Sequence, residues 1–373
     1  MVDRANICNL TKEAKTLIDA LHASDKMVIY GKRDSGKTSL IKNVVIPDWL
    51  GETPDGMVIY AELYGVKSVE DVAEKLTLYF NKAYQSTFTL KAALKSTTKV
   101  LKGLRPYFSI SPDGSMEASL KAAAGSSMPK IETFFDNIKK MHESGIQVAI
   151  VIDEFQDVAL ASGSEQLLRE EMQKLPFEIP IIILGSKQHL LAKIFQKPKA
   201  PFFSWGKRLA IKPLPIDEYN SYIEERFSAH NIKADKETLT ALQKTLLYNP
   251  EAINMFCSHI VYHLGDQKDP DGILTQKTMD LILKDYVSSL GGEFETYLDT
   301  YTKNEVKVLT LIAKQGFLKN PMGKETLAKL KISASGLRKI LDKLLDHADI
   351  YREEGGFILS KPLLMHYLKD WRL

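Results

Sequence analysis

Cysteine is nearly absent from this chain of 373 residues, which has only Cys8 and Cys257, far apart. Two distant thiols with no metal-ligand spacing around them exclude a disulfide framework and a cysteine-built zinc module, and they suit a reducing cytoplasm. Long apolar runs are missing too. No stretch reaches bilayer-spanning length, so no membrane partner is expected. The opening residues, MVDRANICNL, lack the basic start and apolar stretch of a secretory signal, which again points to the cytoplasm. An excess of either charge sign is nearly absent as well: the net is +3, which selects no partner by itself.

What the chain does have is core-forming material. Hydrophobic residues make up 44% and charged residues 26%, at a length sufficient for two or three domains. The positive charge is unevenly placed. Residues 303–373 hold 14 lysines and arginines against 8 acids, so the excess lies in the C-terminal fifth. A nucleic-acid contact would need it there.

One stretch near the N-terminus carries a specific chemistry. VIYGKRDSGKTSLI places Gly31 and Gly36 five apart and follows the second with Lys37 and Thr38. This spacing fits the phosphate-binding loop. The glycines let consecutive backbone N–H groups converge on an anion, and the helix that follows adds the positive end of its dipole. Lys37 reaches the β- and γ-phosphates, and the Thr38 hydroxyl takes a place on Mg²⁺. A chance Gly-turn-Lys would lack context, whereas here an apolar strand precedes and an apolar helical pattern follows. The loop as a whole, Gly31, Lys32, Arg33, Asp34, Ser35, Gly36, Lys37, Thr38 and Ser39, is the expected nucleotide cradle.

Further strand-like runs alternate with helical patterns, which indicates an α/β domain on a mainly parallel sheet. The runs are MVIY (27–30), MVIYAEL (57–63), QVAIVID (147–153), IPIIILG (179–185) and RLAIKPL (208–214), with helices expected over 38–45, 69–84, 130–143 and 165–174. Continuous apolar runs suit strands covered on both faces. PYFSISPDGSMEASL (106–120) interrupts the alternation with a Pro-Asp-Gly turn, read as a hairpin insertion: a surface hairpin or a partner-binding arm.

The third run ends in Asp153-Glu154, the acid pair a Mg²⁺-nucleotide site needs opposite its phosphate loop. Asp153 would hold the metal and Glu154 would act as general base on the attacking water. Ser186, at the tip of the fourth run, is the candidate γ-phosphate sensor, although serine also starts helices. Arg208, at the start of the fifth run, reads either as an arginine finger in its own or a neighbouring subunit, the latter making a homo-oligomer, or as a surface ion pair.

After Pro215 the pattern is helical throughout, down to a breakpoint at Gly291–Gly292. The last seventy residues then give three helices and two short strands, the order of a winged helix-turn-helix. Its second motif helix, SASGLRKILDKLL, carries Leu337, Ile340, Leu341, Leu344 and Leu345 on one stripe. If this domain binds DNA, Arg338, Lys339 and Lys343 face the duplex, helped by Lys324 and Lys331. Glu353 and Glu354 at the wing tip would repel phosphate, and lysine-rich faces are often only solvated, so a protein partner stays open beside DNA.

Together, YGKRDSGKTSL, IVIDEFQDV, ILGS and the arginine before IKPL resemble the archaeal-type ATPases of the AAA+/STAND class of P-loop NTPases, related to the origin-recognition Orc/Cdc6 proteins. The resemblance covers most of the chain. It implies a P-loop core (1–214) with its sheet in the order 5-1-4-3-2, a helical lid (215–292) and a winged helix-turn-helix (298–373). It also implies ATP with Mg²⁺ bound between core and lid, with Lys37, Thr38, Asp153, Glu154 and Ser186 in the roles given above. YNPEAINMF (248–256) resembles the lid's Gly-x-Pro-like element, with Pro250 as the adenine-side match and Tyr248 in the glycine position. No arginine among residues 250–256 supplies the second sensor, a departure that favours a slow switch over a fast motor. Two functions follow as expectations: an ATPase acting on DNA, or a signalling switch whose winged helix contacts a protein.

Overall fold

The computed structural model describes residues 8, 10–92, 130–265, 271–353 and 355–370. The hairpin expected at 106–120, and Glu354 at the wing tip, lie outside them. The chain divides into two compact units, Met1–Lys32 with Lys37–Ile211, and Arg33–Gly36 with Lys212–Leu373.

The first unit is an α/β layer structure. In chain order it runs α1 (Thr11–His22), β1 (Lys26–Tyr30), α2 (Lys37–Leu40), a π-helical turn (Ile41–Val45), α3 (Ile46–Glu52), β2 (Gly56–Glu62), α4 (Val69–Ala92) and α5 (Ile131–Glu143). It continues with β3 (Gln147–Asp153), a 3₁₀ turn (Phe155–Leu160), α6 (Ser164–Gln173), β4 (Ile181–Gly185), α7 (Gln188–Gln196) and β5 (Lys207–Ala210). The five strands are parallel in the order β2-β3-β4-β1-β5. This is the 5-1-4-3-2 order read from the other edge. Residues 148–153 of β3 and all of β4 are buried, which explains their unbroken apolar runs.

Two local departures from expectation have covalent causes. The helix expected over 38–45 is a longer segment with a π turn at its centre. Pro47 follows that turn, and its missing N–H removes the α-type bond to Asn43. The fifth strand stops at Ala210 rather than running to 214, because Pro213 and Pro215 cannot donate to a ladder.

Beneath the C-terminal edge of the sheet lies an aromatic cluster. Phe155 meets Phe202 edge-on at 5.1 Å, and Phe202 meets Trp205 at 5.6 Å. Phe155 directly follows the Asp153-Glu154 pair and is fully buried. Removing a ring so placed costs about 3–5 kcal/mol, so this residue fixes where the acids stand.

The second unit opens with α8 (Ile216–Ser228), β6 (Lys233–Ala234), α9 (Lys236–Thr245), α10 (Pro250–Leu264), β7 (Ile273–Leu274) and α11 (Gln276–Ser289). Asp235, Asn249 and Thr275 cap the helices they precede. Then come α12 (Gly291–Leu298), α13 (Lys303–Gln315), α14 (Lys324–Leu330), α15 (Ala334–Asp346), β8 (Ile350–Glu353), β9 (Gly356–Leu359) and α16 (Pro362–Lys369). Only Leu290 separates α11 from α12, so the Gly-Gly pair starts a helix there instead of opening a loop. Thr302 and Glu305 form a reciprocal capping box at the start of α13.

Leu337, Leu341 and Leu344 are buried, with Ile340 and Leu345 half-buried beside them, which is the stripe expected for α15. β8 and β9 pair antiparallel, and Leu318 bridges to Phe357 as a third short edge. Tyr297 and Tyr301 donate to the two carboxylate oxygens of buried Asp349, the latter at 2.7 Å, and tie the α12–α13 region to the start of β8. Burial, together with donation to that carboxylate, pushes the Tyr297 phenol well above its ordinary range.

Candidate functional site

The C-terminal ends of β1, β3 and β4 gather the polar residues of the first unit. β1 runs into the phosphate loop at Gly31. The loop backbone turns left-handed at Asp34 (φ 59°) and Gly36 (φ 85°), where the absence of a Cβ removes the steric penalty only at the glycine. Lys37 opens α2, and its side chain is buried at 6% relative exposure. Its ammonium curls back into the loop, donating to the carbonyls of Lys32 at 2.6 Å and Gly31 at 3.2 Å. Arg33 and Asp34 lie 3.8 Å apart at the loop tip, whose residues 33–36 group with the second unit.

Strand β3 delivers the acids. Thr38 Oγ1 donates to Asp153 Oδ2 at 2.8 Å, joining the loop to the strand end. Tyr60, on neighbouring β2, donates to the same oxygen, and the Glu154 backbone N–H donates to Asp153 Oδ1 at 2.8 Å. Burial first, and the adjacent Asp153 carboxylate second, push the Tyr60 phenol far above its usual value, so it stays a donor. The Lys42 ammonium stands 4.2 Å over the Tyr60 ring and holds it in place.

Glu154 has the left-handed φ of 51°, which swings its carboxylate away from the strand line. Ser186 Oγ donates to it at 2.9 Å, and Gln156 Nε2 donates from the other side. The sensor and base expected from sequence are therefore in direct contact. A Cβ on Gly185 would collide with Gln156 Oε1 and with Leu191, so glycine is required for Gln156 to stand beside the acid.

Four residues that sequence reasoning did not assign complete this layer: Tyr60, Gln156, Asp157 and Lys187. Lys187 Nζ pairs with Asp157 Oδ1 at 2.9 Å, with side chains only 11% and 2% exposed. Asp157 also accepts from the Gly65 N–H at 2.8 Å and from Gln156 at 3.2 Å. A buried ion pair of this kind links the tips of β3 and β4. The opposite charges of DEFQD and SKQH are visible in the sequence, but their pairing needs the two strands to be neighbours.

Arg208 lies on edge strand β5 opposite Val28 of β1, two residues before the strand's end. Its guanidinium donates to the Phe195 carbonyl at the end of α7, at 2.8 Å. In the second unit, Pro250 is the first residue of α10, behind the Asn249 cap. Tyr248 holds a φ of 55°, the left-handed region that makes glycine the usual choice at that position.

On the winged helix, Lys324, Lys331, Arg338 and Lys339 are exposed, with no ion-pair partner among the described residues. Lys343 is different. It pairs with buried Glu305 at 2.8 Å, joining α15 to α13. Burial alone would raise the Glu305 carboxyl, but Lys343 and the Thr302 contacts outweigh it and hold the group low.

The donor set at the sheet edge suits Mg²⁺ and a polyphosphate. Thr38 and Asp153 offer hard oxygen ligands at hydrogen-bond distance from each other. Lys37 holds its ammonium in the concavity of the loop. Among the described residues no helix is long and apolar enough to cross a membrane.

Residues 292–370 match the family model described as a probable winged helix domain. The whole chain is similar to solved structures. A Walker-type ATPase of Pyrococcus abyssi superposes with TM-score 0.66 at 18% identity, over 99% of this chain and 97% of that one. The ORC2 protein of Aeropyrum pernix, solved as ADPNP-ADP complexes, gives TM-score 0.53 at 12% identity, over 96% and 92%. No curated protein matches. The parallel sheet order, the phosphate loop and these superpositions give the chain a P-loop ATPase fold shared with the Pyrococcus abyssi and Aeropyrum pernix structures, with a winged helix domain at its C-terminal end.

Proposed function

We propose that the chain is a Mg²⁺-dependent ATPase that works as a slow nucleotide-dependent switch and acts on DNA through its winged helix. One observation carries the catalytic part: Thr38, Asp153, Glu154 and Ser186 form one hydrogen-bonded chain at the C-terminal ends of β3 and β4, beside the phosphate loop into which Lys37 folds its ammonium. Thr38 and Asp153 would hold the metal, which when bound neutralises charge on the β- and γ-phosphate oxygens.

The remaining roles belong to side chains of the chain itself. Lys37 exchanges its loop carbonyls for phosphate oxygens. Tyr60 fixes the position of Asp153 by donating to its Oδ2. Glu154 accepts the proton of the attacking water as general base, oriented by Ser186 and Gln156. Loop residues Arg33, Asp34, Ser35 and Ser39 border the phosphates in this reading. Arg208 serves as finger, within its own subunit or toward a neighbouring copy in a homo-oligomer, a role in which it must leave the Phe195 carbonyl.

Single-turnover phosphate release tests the assignment. Glu154→Gln should slow it by about 10²–10⁴-fold while nucleotide still binds. Equal rates for the variant and the wild type would remove Glu154 from catalysis.

DNA is favoured by the exposed cations Lys324, Lys331, Arg338 and Lys339 of the winged helix, which offer phosphate contacts free of internal ion pairing among the described residues. The competing reading is a signalling switch whose winged helix contacts a protein. Its support is Lys343, already bound to Glu305, and exposed Glu353 on the wing. Gel-shift titrations at two salt concentrations, with and without ATP, separate the two. DNA binding that weakens with salt and responds to nucleotide supports the first reading; no binding at low salt supports the second.

A further inference from the structure

His259 and His263 stand one turn apart on α10 and so share a face. Helix α11 packs against that face and brings Asp285 to it. The two Nε2 atoms are 3.0 Å apart, and Asp285 Oδ2 lies 3.7 Å from the first and 3.6 Å from the second. The carboxylate oxygen is thus beyond hydrogen-bond reach of either ring. The spacing matches something else. Around a tetrahedral ion with bonds of about 2.0–2.1 Å, neighbouring ligand atoms stand roughly 3.4 Å apart. The three observed separations bracket that edge.

The rings are held in this pose by packing. His259 stacks on Tyr286 of α11 at 4.3 Å, and Tyr286 in turn stacks on fully buried Phe256. Asp285 is 66% exposed and the imidazoles are partly covered, at 19% and 35%. Solvent therefore reaches a fourth coordination position. Two imidazoles and one carboxylate form a donor set for ions of the zinc class, not for magnesium, which prefers oxygen throughout.

We propose that His259 Nε2, His263 Nε2 and Asp285 Oδ2 form a transition-metal site, one ion per chain, that clamps α10 to α11. Without metal, the Nε2–Nε2 contact requires one ring to carry its proton on Nε2. On binding, that proton moves to Nδ1 of the same ring, both Nε2 lone pairs face the ion, and water fills the open position. The site shares no residue with the proposed ATP site and does not depend on that reading.

Calorimetric titration of the reduced, chelator-treated full chain with Zn²⁺ tests this, with Co²⁺ absorption as the report on geometry. The wild type should bind one equivalent, and Co²⁺ should give the intense visible bands of a tetrahedral site. Asp285→Asn, at an exposed position where folding is safe, should weaken Zn²⁺ binding about tenfold or more. The double variant His259→Asn/His263→Asn should lose both the equivalent and the Co²⁺ bands, with thermal melting of the metal-free proteins confirming that each variant is folded. Absence of saturable binding by the wild type, or unchanged affinity in the folded Asp285→Asn and double variants, would overturn the site.

Discussion

In the first unit Lys37, Asp153, Asp157 and Lys187 are buried or half-buried and each is hydrogen-bonded within the protein, whereas in the winged helix nearly all the cations stand in water. Lys37, Asp153, Asp157 and Lys187 each have a fixed partner at the sheet edge. Lys324, Lys331, Arg338 and Lys339 have none among the described residues. Buried charges are tolerated only when paired, so the first set is held in one geometry before any ligand arrives. Exposed lysines lose little by being unpaired, and their contacts form only with a partner. In the proposed function the first region would receive a small polyanion and the second would offer a salt-sensitive surface to an extended one. Lys343 marks the boundary, being a winged-helix cation with a buried acid partner.

The comparison breaks most severely at the buried pair. Asp157→Asn leaves the Lys187 ammonium uncompensated and should cost about 3–5 kcal/mol of stability in denaturant unfolding. A loss below about 1 kcal/mol would mean the pair is solvated like a surface bridge. Next in size is Tyr60→Phe, which removes one of the donors to Asp153. The magnesium concentration for half-maximal nucleotide binding should rise about tenfold. An unchanged requirement would make Tyr60 a packing residue. Smallest is the effect on the exposed face. Arg338→Ala and Lys339→Ala should each lower the slope of log K against log salt by about 1, leaving stability unchanged. A slope that stays constant would remove α15 from the DNA contact.

The same contrast explains what the sequence made legible. The centres of strands β1 to β4 are continuous apolar runs, so the sequence places these strands within a residue or two. The phosphate loop and the Asp-Glu pair are local in sequence and were readable as motifs. The sheet order came only through resemblance, since no local pattern encodes which strands are neighbours. Tyr60 and the Asp157–Lys187 pair went unassigned for that reason: Tyr60 is one more aromatic in a strand until β2 lies beside β3. His259 and His263 show helical spacing in the sequence, but Asp285 joins them only through the packing of α10 on α11. The π turn before Pro47 was likewise hidden, because the proline acts on carbonyls of the preceding turn.

The central claim is that the loop from Gly31 to Thr38 and the acids ending β3 form one magnesium–nucleotide cradle. Titrating ATP into the wild type and into Lys37→Ala, with magnesium and with a chelator, tests it directly by calorimetry. The wild type should give saturable, magnesium-dependent heat, and the folded variant should bind more weakly by about 3 kcal/mol, roughly a hundredfold. Equal affinities for the two proteins, or no heat from the wild type, would contradict it.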